Sequence, residues 1–135
     1  MLESTATVTA TYDEEDRPKV VRDILGRIGD KWSVIVICRL GAGPRRFNEL
    51  RRVVGGITQR MLSSTLRGLE RDGLVSRTVH PSVPPQVEYA LTESGLSLLG
   101  IVQALARWTD DQVDAIRAAR IDYDRRISEF TPASP

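Results

Sequence analysis

The sequence predicts a mainly α-helical domain carrying one small β-hairpin, and three observations support that class. Between residues 20 and 72, apolar residues recur every three or four positions in short runs separated by glycines, the spacing of amphipathic helices interrupted by breakers. After Gly73 the period shortens to two, through "LVSRTVH" and then "VEYAL", which is the alternation of strands. From Glu93 onward the helical period returns. At 135 residues the chain is long enough for one apolar core.

Residues 1–17 are Thr-rich and acidic with few large apolar side chains, so a disordered arm is expected there. "VVRDILGRI" follows, apolar at 20, 21, 24, 25 and 28, which makes one helical face. Gly29 closes that helix, and Asp30 is placed to cap the next, "KWSVIVICRL". This second helix is apolar nearly all round and should be the buried one, with Trp32 in the core. Its β-branched run at 34–37 makes a strand the competing structure. After the turn at 41–44, "RRFNELRRVV" sets Phe47, Leu50 and Val53 or Val54 on one face of a short third helix. Phe47 is a core residue in this reading.

Gly55-Gly56 breaks the third helix, Thr58 can cap "QRMLSSTLRGLERD", and Gly73 ends it where a left-handed residue is needed. The two strands come next. Pro81, Pro84 and Pro85 lie between them, stiffening the hairpin tip and withholding backbone N–H donors. Thr92 then caps a long helix from Glu93, and Thr109-Asp110-Asp111 is placed to begin a further one, "QVDAIRAARIDYDRRI". The expected organisation is an arm at 1–17, a domain at 18–108, and a C-terminal helical extension and tail at 109–135.

Composition narrows the function. The longest apolar run, at 34–38, is far too short to span a bilayer. The N-terminus lacks the basic start and apolar stretch of a signal peptide, and one cysteine makes no internal disulfide framework. A cytoplasmic protein without a membrane partner is expected. His80 is the only histidine and has no cysteine near it in sequence, so neither a metal site nor a nucleophile–base pair is apparent. No glycine-rich phosphate loop is present either. No cofactor and no enzymatic activity are expected. Cys38 sits in the apolar second helix, where a buried structural thiol is the expectation.

The net charge of +1 hides a separation. Residues 44–78 carry +5, all eight bases being arginine, while the rest of the chain carries −4. A polyanionic partner suits the basic segment, although a solvated surface would also produce it. The helix at 58–72 sharpens the point. Arg60, Ser63, Ser64, Arg67 and Arg71 fall within roughly 100° of one another, and Leu62, Leu66 and Leu69 lie opposite. Surface helices usually mix acids with bases, often as i,i+4 pairs. The face centred on these arginines holds no acid.

Helix, helix, short helix, glycine turn, arginine-faced helix, hairpin, long helix is the order of a winged helix-turn-helix. Such a fold lays the second helix of its motif in the major groove of double-stranded DNA, with the early residues reaching base edges. Here those are Gln59, Arg60, Ser63, Ser64 and Arg67. Arginine suits guanine and glutamine suits adenine, each worth about 1–3 kcal/mol of discrimination. Arg45, Arg46, Arg71 and Arg77 are better placed for phosphates. The wing at 75–91 would lie on the backbone or minor groove, with His80 and Gln86 beside its tip. A winged helix used for protein–protein contact is the alternative, but those modules often lack a basic recognition face.

The segments "GDKW", "GPRRFNELRR", "GITQRMLSSTLRGLERDGLV" and "VPPQVEYALT" closely resemble the HxlR-type winged-helix transcriptional regulators of bacteria, from about residue 20 to 108. The resemblance implies a homodimer joined through the flanking N- and C-terminal helices and bound to a pseudo-palindromic operator. Val20, Val21, Ile24 and Ile28 would then be dimer contacts, as would Ile101, Leu105 and Trp108, whose double stripe exceeds what one packing contact needs. Many members carry a sensing cysteine just before the first helix. The corresponding "DEEDRPKVVRD" has none, so sensing of that kind is not expected, and a small-molecule effector at the dimer interface stays open. A MarR-like dimer is the nearer rival within the DNA-binding class, and "GPRRFNEL" with "VPPQVEY" argues against it.

Overall fold

A computed structural model describes residues 14–130. A single 3-10 turn, Glu14–Asp16, leads into α1 (Arg17–Gly29), followed by α2 (Lys31–Leu40), β1 (Arg45–Arg46), α3 (Phe47–Val54), α4 (Gln59–Arg71), β2 (Val75–His80), β3 (Gln86–Leu91) and α5 (Glu93–Phe130). The sheet is antiparallel, in the order β1-β3-β2. Backbone contacts divide the chain into two compact units, up to Leu99 and from Gly100 onward. The helix-turn-helix and the wing both belong to the first.

The core of the first unit is built by small amphipathic stripes. Val36, Ile37 and Leu40 of α2 are buried with Leu50 and Val54 of α3 and Leu62, Leu66 and Leu69 of α4. Ile57, Leu74, Val75, Leu98 and Leu99 complete it. Residues 34–37 are helical, because Asp30 caps the turn: its Oδ2 accepts from the Ser33 N–H at 3.3 Å and from Ser33 Oγ at 2.6 Å. Thr58 caps α4 in the same way, accepting from the Met61 N–H at 3.1 Å. At the other end Gly73 takes φ +73°. The Leu74 N–H donates to the Leu69 carbonyl at 2.9 Å and the Gly73 N–H to Glu70 at 3.0 Å, the paired bonds of a Schellman stop.

Several expectations change. Arg45 and Arg46 are strand rather than helix, pairing with Tyr89 and Glu88. Gly43 at φ +136° and Pro44 carry the chain out of α2 extended, so α3 starts two residues later and the sheet has a third strand. α1 begins at Arg17 with a proline in its first turn, a position proline favours. The expected arm therefore reaches into ordered chain, and its residues 1–13 lie outside the described residues, as does the tail at 131–135. No new helix starts at Thr109. Its hydroxyl donates back to the Leu105 carbonyl at 3.0 Å, and no glycine or proline interrupts residues 101–130, so α5 is one helix.

Cys38 is exposed, not buried. The buried face of α2 is set by Ser33, Val36, Ile37 and Leu40, and Cys38 lies about 150° around the helix from its middle. Being apolar nearly all round did not bury all of α2. Trp32, Val34 and Ile35 are half-buried, as is Phe47 in α3.

Candidate nucleic-acid interface

Helix α3, the Gly55-Gly56 turn and α4 form the helix-turn-helix. Both glycines take φ +72°, and Ile57 behind them is buried, which fixes where α4 starts. Leu62, Leu66 and Leu69 anchor α4 inward, each at most 1% exposed. Gln59, Arg60, Ser64, Arg67 and Arg71 are consequently exposed and Ser63 is half-buried.

α4 is braced from outside the motif. Arg27 of α1 donates from Nε to Asp72 Oδ2 at 2.8 Å. Its guanidinium lies flat over Gly68, where a Cβ would come within 2.6 Å of Nη2. Glycine in a helix interior is unfavourable by itself. Here it admits the close approach of the arginine. Neither Arg27 nor Gly68 carried a signal in the sequence, because the pairing spans 45 positions.

Behind α4, Thr92 ties the wing to α5. Its hydroxyl donates to the Gly73 carbonyl and accepts from the Gly95 N–H at 3.1 Å, while its own N–H donates to the Leu74 carbonyl at 3.1 Å. Gly95 is buried against that Leu74 carbonyl, and any Cβ there would overlap it.

The arginines separate into two groups. Arg39 donates to the Val53 carbonyl at 3.1 Å and Arg51 to the Ile57 carbonyl at 3.2 Å, so both secure the turn of the motif. Arg45 belongs with them: it donates to the Arg39 carbonyl at 3.0 Å, sits 3.9 Å from Glu49, and its side chain is 23% exposed. The strand pairing turns Arg45 inward and leaves Arg46 exposed, a different place from the phosphate-facing one expected for Arg45. Arg46, Arg60, Arg67, Arg71 and Arg77 remain on the surface.

A recess of about 400 Å³ brings Ser63 and Arg67 of α4 together with Arg77 of β2, alongside Glu70 and Tyr89. Helix and wing thus offer two guanidinium groups to one place. Neither Tyr89, in an alternating strand, nor Glu70, at the margin of the arginine face, carried a sequence signal for this recess. Arg71 is turned away, to a second recess of about 650 Å³ that it shares with Asp72 and with Val20 and Ile24 of α1. At the wing tip His80 pairs in register with Gln86, and His80 Nε2 lies 3.6 Å from Glu88 Oε1. Among the described residues, no group of three or more His, Cys, Asp or Glu side chains gathers as metal ligands would.

The family profile described as HxlR-like helix-turn-helix matches residues 27–117. The chain belongs to the HxlR-like helix-turn-helix family. As a member it is a transcriptional regulator of the helix-turn-helix type, with a winged-helix fold. An uncharacterized HTH-type regulator of Methanothermobacter thermautotrophicus is 51% identical over 84 residues, 62% of this HxlR-like chain and 64% of that protein, so the chain spans slightly under two thirds of this relative. The HTH-type regulator YdeP of Bacillus subtilis is 44% identical over 108 residues, 78% of this chain and 84% of YdeP. Among solved structures, the regulator YtfH of Salmonella typhimurium superposes with a TM-score of 0.65 at 38% identity, covering 74% of this chain and 89% of that one. Among the described residues, no helix of this HxlR-like chain is long and apolar enough to cross a membrane.

Proposed function

We propose that the protein binds a pseudo-palindromic DNA operator as a homodimer, with α4 in the major groove and the wing on the neighbouring backbone or minor groove. One observation carries this reading: a capped helix, seated by three buried leucines, turns Gln59, Arg60, Ser64 and Arg67 outward next to Arg77 of the wing. Gln59 and Arg60 stand in the first turn, where a recognition helix meets base edges. Ser63 and Ser64 are small enough to let the backbone approach. Arg46 and Arg77 contact phosphates, with His80 and Gln86 following the strand at the wing tip. Apolar surface on α1 and α5 supports dimerisation: Val20 and Val21 are about half exposed, as are Ile101, Leu105 and Trp108, while Ile24 and Ile28 are half-buried.

The test is selection of duplexes from a random pool, followed by titration at two salt concentrations. Two phosphate-facing arginines per copy make four in a dimer, so affinity should fall on the order of 10²-fold between 50 and 200 mM salt. An enriched inverted repeat bound by two chains is the expected result. Folded protein that enriches no sequence and shows no salt-sensitive binding would move the arginine face to a protein partner.

A further inference from the structure

Arg71 shares a helical face with Arg60 and Arg67 in the sequence, yet the fold gives it no part in the recess between α4 and the wing. It closes α4 and lines the recess of about 650 Å³ with Asp16, Lys19, Val20, Asp23, Ile24 and Asp72. Small-molecule sites run from roughly 300 to 1,000 Å³. Three carboxylates line this one, and each is engaged. Lys19 Nζ lies 3.2 Å from Asp23 Oδ2, Arg27 Nε donates to Asp72 Oδ2 at 2.8 Å, and Asp16 also has a partner. Arg71 has none among the described residues: it is exposed and makes no hydrogen bond or ion pair there. In the same recess Val20 is 47% exposed and Ile24 is half-buried. They stand four residues apart on α1, so an apolar strip about 6 Å long accompanies an unanswered positive charge.

We infer that this recess binds a small monocarboxylate with a short apolar tail, its carboxylate on Arg71 and its tail along Val20 and Ile24. The planar guanidinium presents paired N–H donors that match the two oxygens of a carboxylate. A doubly charged phosphate would meet the same guanidinium but be repelled more strongly by Asp16, Asp23 and Asp72. An amine would find each of those carboxylates already engaged and Arg71 opposing it. The ligand bridges α1 and the C-terminal end of α4, the two elements that Arg27 and Asp72 join. Its binding therefore stabilises that joint by mass action. The site stands apart from the DNA reading. It shares Val20 and Ile24 with the surface proposed for dimerisation, so oligomeric state is measured alongside.

Amide NMR titration of the full chain with hexanoate, with sedimentation equilibrium of the same samples, tests this. Backbone signals of Val20, Ile24, Arg71 and Asp72 should shift along one saturable curve, and Tm should rise with hexanoate concentration. Hexanol, which lacks the charge, and acetate, which lacks the tail, should each bind more weakly by about tenfold or more. Arg71→Gln should weaken hexanoate binding by about tenfold. Arg22→Gln, at an exposed arginine of α1 outside the recess, should leave it unchanged. No shift at the four residues, or equal weakening by Arg22→Gln, would overturn the site. So would a dissociation constant for Arg71→Gln within about twofold of wild type. Hexylamine binding more tightly than hexanoate would overturn it in favour of a cation on the acids. The homodimer reading is judged separately. A monomer that binds hexanoate keeps the site and removes the dimer, whereas hexanoate that splits a dimer assigns Val20 and Ile24 to the interface and overturns the site.

Discussion

Removing the Arg27 side chain tests whether α1 braces the recognition helix. Arg27 and Asp72 meet at 2.8 Å with side chains 27% and 11% exposed. A fully exposed pair contributes roughly 0.2–1 kcal/mol, and breaking a fully buried one costs roughly 3–5 kcal/mol. This pair lies between those limits, so Arg27→Ala should cost about 2 kcal/mol and lower Tm by roughly 6–10 °C for a chain of this size. Gly68 supplies the sharper experiment. Alanine in a helix interior is favoured over glycine by about 1 kcal/mol, but at position 68 its Cβ would lie 2.6–2.9 Å from three guanidinium atoms of Arg27. The guanidinium could yield only by loosening its bond to Asp72. Gly68→Ala should therefore be neutral or destabilising in the wild type. In the Arg27→Ala background it should stabilise by about 1 kcal/mol. Urea unfolding at a single protein concentration measures both, since dimerisation would otherwise shift the midpoint. Equal effects in the two backgrounds, within about 0.3 kcal/mol, would refute the brace.

Other expectations are more direct. Gly95→Ala should destabilise by about 2–3 kcal/mol in thermal melts, because its Cβ overlaps the Leu74 carbonyl and backbone cannot yield as a side chain does. Arg60→Ala should flatten operator preference by about 1–3 kcal/mol at one base position with little change in non-specific affinity, read by competition between matched and mutated duplexes. Arg77→Ala should weaken all duplexes about equally and, lost from both copies of the dimer, reduce the salt slope by about two. Cys38 should react with a maleimide under native conditions at the rate of an exposed thiol, since it is exposed on α2; labelling that required unfolding would contradict that placement.

Much of the fold was legible because it rests on local signals. Asp30, Thr58, Gly73 and Thr92 each stop or start a helix through bonds spanning at most five residues, and those partners sit side by side in the sequence. The leucine face of α4 was legible for the same reason, since helical periodicity converts spacing into direction. Arg45 shows the limit. As one of a pair of arginines opening the expected third helix it looked free for phosphate, but β1 exists only because β3, more than 40 positions later, offers it a partner. Cys38 failed differently. Hydrophobicity alone suggested burial, while the angle at which α2 meets its neighbours decided which residues were covered.

The sequence by itself determined the order of elements, the caps, the arginine-bearing face of α4 and the membership of the HxlR-like family, because all of these follow from neighbours within a few residues or from whole motifs. Tertiary structure alone decided which arginines hold the fold and which face outward. It also set Arg67 beside Arg77 and laid Arg27 over Gly68. Those outcomes depend on which carbonyl, carboxylate or ring another element brings within about 3 Å, the reach of a hydrogen bond. Spacing along one element carries no information about that distance.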